Sequence, residues 1–133
     1  MGDIVIRVDT EVNPTESEDK VKKAIEKIFG NISTTARPMR NGSLLVAEAL
    51  GEEPLVKFYN LLCREHIRAA ARTVLLGGMD RTTISFCLNK QAAYAGHVSF
   101  AEEVAESPLG PIRVRIECRN PRELIDRLTS RTA

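Results

Sequence analysis

The sequence contains no tryptophan, only three cysteines and no long apolar run. None of its apolar stretches approaches the ~20 residues that a membrane-spanning helix needs, and its first residues lack the basic start and apolar core of a signal peptide. The odd number of cysteines, with no Cys-x-x-Cys pair, excludes a zinc knuckle and a thioredoxin-type site. We therefore expect a cytoplasmic protein without a membrane partner, whose cysteines are buried free thiols.

Patterns of catalysis and metal binding are also missing. The two histidines, His66 and His97, have no second ligand at metal spacing, and no serine or cysteine stands with them in the order of a catalytic triad. Gly77-Gly78 follows an apolar periodic stretch and predicts the end of a helix, not a phosphate-binding loop. The sequence therefore predicts neither an enzyme nor a bound cofactor or metal.

Charge is nearly balanced, with 19 basic and 18 acidic residues and a net charge of +1. This excludes a strongly basic protein that binds nucleic acid by overall charge. The distribution is uneven, because residues 1–66 carry nine Lys/Arg against eleven Asp/Glu, whereas residues 67–133 carry ten against seven. Any cationic surface must therefore be local, and the fold must assemble it.

Six segments alternate apolar and polar residues or are rich in β-branched residues, which predicts strands. They are residues 4–12, 31–36, 43–49, 82–88, 97–100 and 112–118. Strands and helices do not alternate strictly along the chain, which favours an α+β fold over a parallel α/β fold. We predict a single domain over residues 1–133, with a mixed, largely antiparallel sheet of five or six strands and about three helices packed on one face.

The three predicted helices have recognisable ends. The first begins after Thr15, which forms a capping box with Glu18, and ends at Gly30. The second is long and covers Pro54–Leu76, and the third begins at Pro121.

Three arginines in the long predicted helix recur every four residues, namely Arg64, Arg68 and Arg72. On a continuous helix they form a row roughly 12 Å long at ~1.5 Å per residue. Such a row can match nucleic-acid phosphates, because each guanidinium fork grips two oxygens. The alternative is a solvated helix face with weak pairs such as Glu65 with Arg68.

Two further groups of polar residues are candidates for binding. Asn89, Lys90 and Gln91 follow a predicted strand, and a lysine with two amides can contact a phosphate and a sugar or base edge. Their alternative role is to form a turn through hydrogen bonds to the backbone. Arg113 and Arg115 point to one side of the last predicted strand and suit an RNA backbone, unless they pair across strands with Asp9 and Glu11.

Several strings of the chain together resemble a known family. They are Val12–Glu16, Ile67–Arg72, Phe86–Ala93, Pro108–Ile112 and Leu124–Asp126. On these strings the chain resembles, over nearly its whole length, a small uncharacterised archaeal protein family grouped with RNA-binding proteins and predicted exosome-associated subunits. The Asn-Lys-Gln-Ala-Ala and Pro-Leu-Gly-Pro strings are the most specific of them.

The resemblance implies RNA binding and a fold like that of the large-subunit ribosomal protein that holds the small ribosomal RNA. Where family members often carry a tryptophan after Leu-Ile-Asp, this chain has Arg127, which removes one stacking residue. We therefore predict an RNA-binding module that contacts phosphate and sugar through an arginine and lysine surface. The alternative is a homo-oligomeric protein-interaction module, such as a homodimer, that does not bind nucleic acid.

Overall fold

Strands and helices in the computed structural model are described for residues 4–30, 32–40, 42–101 and 111–129. The strands of this part are β1 (Val5–Val12), β2 (Ser33–Met39), β3 (Gly42–Leu50), β4 (Thr83–Asn89), β5 (Phe100–Ala101) and β6 (Pro111–Glu117). The helices are α1 (Glu18–Phe29), α2 (Glu53–Arg64), α3 (Arg68–Gly77), α4 (Lys90–Tyr94) and α5 (Pro121–Leu128). None of these helices is long and apolar enough to cross a bilayer.

The six described strands form one sheet in the order β2-β3-β1-β6-β4-β5. Every described neighbouring pair is antiparallel, so the predicted α+β class and largely antiparallel sheet are confirmed. The first strand occupies the middle, where Val5 to Asp9 pair with β6 on one side and Val5 to Val12 pair with β3 on the other. The centre of the sheet therefore joins two strands that are more than 100 residues apart in the sequence.

One hydrophobic core lies between the sheet and the helices. On β1 the even-numbered residues Ile6, Val8, Thr10 and Val12 are buried, while the odd-numbered ones are exposed or half-buried. Thr10 is the polar member of this row, and its hydroxyl donates a 3.0 Å hydrogen bond to the Pro111 carbonyl of β6. The period of two in the sequence thus divides a core-facing side of the sheet from an outer side.

A ladder of phenylalanine rings ties the helices to the sheet. Phe29 of α1 stacks on Phe58 of α2 at 5.5 Å between ring centroids, and Phe58 stacks on Phe86 of β4 at 5.6 Å. Phe86 meets Phe100 of β5 edge-on at 5.9 Å. Because such ring contacts add to the burial of apolar area, the ladder fixes how α1 and α2 sit on the sheet.

The prediction of one long helix over residues 54–76 is wrong, because the helix breaks between Arg64 and Arg68. His66 there has a φ of 57°, in the left-handed region. The Ile67 amide donates to the Leu62 carbonyl and the His66 amide donates to the Cys63 carbonyl, which is the hydrogen-bond pattern of a Schellman C-cap. A glycine usually occupies the left-handed position, so its absence hid the break from the sequence reading.

Replacing His66 by glycine should raise the free energy of unfolding by about 0.5–1 kcal/mol. A left-handed conformation costs a residue with a Cβ roughly 1–2 kcal/mol, and the greater freedom of glycine in the unfolded chain offsets about 0.4–1 kcal/mol of the gain. Urea unfolding followed by circular dichroism measures the difference. A His66→Ala variant is the control, because it keeps the Cβ; equal stability of the two variants would contradict the strain argument.

The first helix begins later than the capping box predicted. Its N-cap is Ser17, whose hydroxyl accepts from the Lys20 amide, and Thr15 is exposed outside the helix. At the other end of the chain, Asn120 caps α5 by accepting from the Glu123 amide at 3.2 Å, and Pro121 is the first helical residue as predicted. Because Ser17 is the cap, Glu16 lies just outside the helix, and its side chain is buried against Lys90.

Candidate functional site

A cationic groove runs between the end of α1, the length of α2 and the turn after α4. Two adjoining open clefts of about 400 and 420 Å³ form it, and both are lined by Lys27 and Lys57. Its other charged or polar lining residues are Lys23, Glu26, Asn60, Arg64 and His97. We call the surface formed by Lys23, Lys27, Lys57 and Arg64 the lysine groove.

Backbone contacts hold the two central lysines in place. The Lys27 ammonium donates a 2.6 Å hydrogen bond to the Tyr94 carbonyl, and the Lys57 ammonium donates a 3.1 Å hydrogen bond to the Glu26 carbonyl near the end of α1. Both contacts suit lysine, because the carbonyl end of a helix carries partial negative charge. An ammonium group has three N–H donors, so each lysine keeps donors for a ligand.

Two glycines lie beside the stems of the central lysines. A Cβ built on Gly30 would stand 3.6 Å from Cδ of Lys57, and one built on Gly96 would stand 3.7 Å from Cδ of Lys27. Both glycines have positive φ angles, 85° and 82°, which are positions that favour glycine. The chain therefore turns sharply beside each stem without placing a side chain over it.

The four cations of the groove are exposed, and none forms an ion pair with a carboxylate of the described residues. Glu65, close to the groove, is already bound, since its carboxylate contacts Nδ1 of His97 at 3.1 Å and accepts from the Val98 amide at 3.3 Å. Glu26 is the one acidic residue among the groove's described lining residues. The groove thus carries a surplus of positive charge available to an anionic ligand.

The candidate Lys90 lies away from the surface, because its side chain is fully buried. Its ammonium donates to the Glu11 carbonyl at 2.5 Å and to Oε1 of Glu16 at 3.0 Å. In this structure Lys90 therefore has no exposed atom with which to make the predicted contact with a phosphate. Inside the protein, the ammonium group of Lys90 neutralises the buried carboxylate of Glu16.

The neighbours of Lys90 divide between structural and exposed positions. Asn89 is the N-cap of α4, and its side-chain oxygen accepts from the Ala92 amide at 2.9 Å, which is the alternative role named from the sequence. Gln91 is exposed on α4. Of the three predicted residues, Gln91 alone is exposed to a ligand.

Glu16 is the centre of this internal network. Besides Lys90, it accepts from the backbone and side-chain amides of Asn13 at 3.0 and 2.8 Å and from the Tyr94 hydroxyl at 2.7 Å. Burial alone raises the pKa of Glu16, but the donors from Asn13, Tyr94 and Lys90 outweigh it, so the pKa lies below its ordinary value. Burial and the bond to Glu16 raise the pKa of Tyr94, which keeps this hydroxyl protonated as a donor.

The predicted row of helix arginines does not exist as one row. Arg64 ends α2 and lines the groove, whereas Arg68 and Arg72 belong to α3 and line a separate cleft with His66. Arg72 donates to Oδ1 of Asp126 at 2.7 Å and to the Thr129 hydroxyl at 3.2 Å. The break at His66 is the physical reason for this separation, because it changes the direction of the helix.

The last-strand arginines lie on the outer side of the sheet, opposite the core-facing side that the helices cover. Arg113 donates to Oδ1 of Asp9 at 2.7 Å, the cross-strand pair named as the alternative. Arg115 lies 3.9 Å from a carboxylate oxygen of Glu117 and is 58% exposed. On the same side, Arg7 pairs with Glu48 at 2.8 Å. The predicted residues therefore do not form a single surface.

Sequence reading missed the lysine groove because its members come from different elements. Lys23 and Lys27 stand out as polar positions of the first helix, but Lys57 and Arg64 lie on α2, seven residues apart. The two helices come together in the fold, through contacts such as the stacking of Phe29 on Phe58. No group of three or more His, Cys, Asp or Glu close enough to hold a metal ion occurs in the described part of the chain.

Comparison with known proteins connects the chain with one family. The sequence model of a family described as RNA binding matches residues 5–118. A UPF0201 protein of Sulfurisphaera tokodaii is 42% identical over 128 residues, which cover 96% of this chain and 88% of that protein. A UPF0201 protein of Pyrobaculum islandicum is 42% identical over 123 residues, covering 92% and 86%.

Solved structures share the fold. The crystal structure of a UPF0201 protein from Methanococcus jannaschii has a TM-score of 0.84 and 32% identity, and the match covers 94% of this chain and 98% of that chain. A DUF54 protein from Methanothermobacter thermautotrophicus has a TM-score of 0.66 at 16% identity, with coverage of 95% and 97%. At that identity the second likeness concerns the fold alone.

Proposed function

This chain belongs to the family described as RNA binding, whose model covers residues 5–118, and we propose that it is a non-catalytic RNA-binding module. In this proposal it contacts the phosphates and sugars of RNA through the lysine groove. The observation that carries the proposal is the convergence of Lys23, Lys27, Lys57 and Arg64 on one open surface without carboxylate partners among the described residues. Phosphate contacts supply most of the affinity when RNA is bound without base readout.

The competing role of the central lysines is structural. Lys27 and Lys57 each donate to a backbone carbonyl near the end of a helix, and this contact alone would stabilise α1 and α4. Lys23 and Arg64 make no such contact in the described part of the chain, and both are exposed. A purely structural role gives no reason for these two cations to line the same groove, and the RNA proposal does.

The proposal sets a salt dependence. Four phosphate contacts on a single strand give a slope of log affinity against log salt of about −3. Raising monovalent salt from 50 to 200 mM should then weaken binding by about 50-fold. A ligand held by apolar contacts would show almost no such change.

The test is fluorescence anisotropy with a labelled 20-nucleotide RNA across this range of salt. A Lys57→Ala/Arg64→Ala variant should bind about 10-fold more weakly at 50 mM salt, and its slope should fall by about 1.4 units, because two contacts are lost. The control is Arg113→Ala/Arg115→Ala, which removes the same charge from the outer side of the sheet. Absence of binding at 50 mM salt, or an equal loss in both variants, would refute the groove as the contact surface.

A further inference from the structure

The edge strand β2 differs from the other strands because the helices do not cover it. Six of its seven residues are exposed, on both sides of the strand. Leu45 of β3, which lies opposite Ala36, is buried in the core, yet Ala36 itself and Pro38 are exposed. The outer hairpin edge is therefore accessible from the helical side and from the outer side of the sheet.

The strand β2 and the turn after it carry positive charge and no negative charge. Residues 32–40 contain Arg37 and Arg40 and no acidic residue, and Glu48, opposite Ser33 in β3, is paired with Arg7. Arg37 and Arg40 are exposed, and neither forms an ion pair with a carboxylate of the described residues. The rest of β2 is rich in hydroxyl groups, from Ser33 to Thr35, which can donate hydrogen bonds to phosphate or sugar oxygens.

Along the chain, the edge strand follows soon after a residue of the lysine groove. Gly30 lines the groove beside Lys57, and β2 begins three residues later at Ser33. From Ser33 to Met39, the two ends of β2, the strand spans roughly 20 Å at ~3.4 Å per residue. At ~3.4 Å of rise per stacked nucleotide, that distance corresponds to about six nucleotides.

The edge is also held rigidly, which lowers the entropic cost of binding. All seven residues of β2 pair with β3, from Ser33 opposite Glu48 to Met39 opposite Gly42. Gly42 has a φ of 104°, and a Cβ there would stand 2.1 Å from the Val12 carbonyl oxygen, so the hairpin packs directly against the end of β1. Arg37 and Arg40 are thus presented on a fixed frame.

We propose that β2 and Arg40 extend the lysine groove into a track for single-stranded RNA, in which Arg37 and Arg40 bind the phosphates beyond the groove. This inference rests on the proposed RNA-binding function. The proposed track turns from the helical side of the sheet to its edge. A double helix is too stiff to follow such a turn, because the persistence length of double-stranded DNA is on the order of 50 nm. A single strand bends freely and fits the path.

A protective role is the simpler explanation of these residues. Charged side chains and proline on an edge strand prevent pairing with the edge of another molecule. Met39 argues against protection alone, because it is 47% exposed between the two arginines and adds an apolar contact to an edge that protection would keep polar. An exposed methionine suits a binding surface, because its flexible apolar side chain adapts to the partner.

The experiment measures binding of oligouridylates of 4 and 16 nucleotides and of a 16-base-pair RNA duplex at 50 mM salt. Arg37→Ala/Arg40→Ala should weaken binding of the 16-mer about 10-fold and leave binding of the 4-mer unchanged. Lys57→Ala/Arg64→Ala should weaken binding of both. The duplex should bind the wild-type protein more weakly than the 16-mer does. Thermal melting followed by circular dichroism checks that each variant is folded.

The outcomes separate the track from the groove. If Arg37→Ala/Arg40→Ala binds the 16-mer as the wild type does while the groove variant is weakened, the track is refuted and the RNA-binding function stands. If the duplex binds as tightly as the 16-mer and is weakened equally by Arg37→Ala/Arg40→Ala, the preference for a single strand is refuted. If the wild-type protein binds none of the three RNAs, the function and the track are both refuted.

Discussion

Replacing Lys90 by methionine should lower the free energy of unfolding by about 3 kcal/mol or more, because removal of one partner of a buried ion pair typically costs about 3–5 kcal/mol. Methionine fills much of the same volume, so the loss is electrostatic. Glu16, whose side chain is 6% exposed, would lose its cation, and the Glu11 carbonyl would lose a donor at 2.5 Å. Chemical unfolding in urea, followed by circular dichroism, measures the change.

Two further variants make the interpretation specific. Lys22→Met makes the same chemical change at an exposed position of α1 and should alter stability by about 0.5 kcal/mol or less. Adding Glu16→Gln to Lys90→Met removes the carboxylate that was left uncompensated. The double variant should therefore be more stable than the sum of the single effects predicts, by about 1–3 kcal/mol. Strict additivity would show that the ion pair is not what stabilises this site.

Replacing Gly78 by alanine should lower the free energy of unfolding by about 2–3 kcal/mol, in the range of forced overpacking. A Cβ at Gly78 would stand 1.8 Å from the Ser85 carbonyl oxygen, which is backbone and cannot rotate away. The Ser85 amide donates to the Gly78 carbonyl at 2.9 Å, so the two segments must separate and weaken this bond. The melting temperature of the variant gives the size of the effect.

The adjacent glycine is the matched control for that experiment. Gly77 is the last residue of α3, and a Cβ there meets nothing within 4 Å. Because alanine favours the helix and restricts the unfolded chain, Gly77→Ala should raise stability by about 0.5–1 kcal/mol. Opposite signs at neighbouring positions would identify close backbone contact as the reason for Gly78. A loss of stability in both variants would contradict this explanation.

Local patterns in the sequence were sufficient for most of the fold. The alternation from Ile4 to Val12 identified a strand with one buried side, and Pro121 identified the start of the last helix. The break at His66 was not predictable in this way, because its hydrogen bonds need a left-handed residue and histidine gives no such signal. The short strand β5 was expected over residues 97–100 and occupies Phe100–Ala101.

The binding site was much harder to predict, because charge in a sequence does not reveal burial. Lys90 looked like a surface cation, yet Glu16, 74 residues earlier in the chain, draws it inside. For Arg113 the sequence leaves contact with RNA and pairing with Asp9 both open, and the register that sets Asp9 opposite it, 104 residues away in the chain, favours the pair. The groove was hidden for the converse reason, since Lys57 has no local signature and the spacing of Arg64 groups it with Arg68 and Arg72 instead. The likeness to the ribosomal protein and the homo-oligomeric alternative stay predictions.

The position of β1 in the middle of the sheet has a consequence for biosynthesis. Asp9 and its cross-strand partner Arg113 are 104 residues apart, so one flank of β1 has no neighbour until β6 has been synthesised. At translation speeds of about 5–20 residues per second, this interval lasts roughly 5–20 s. During that time the flank of β1 that later meets β6 stays unpaired, which makes it a natural target for chaperones, and the sheet is completed only when β6 emerges.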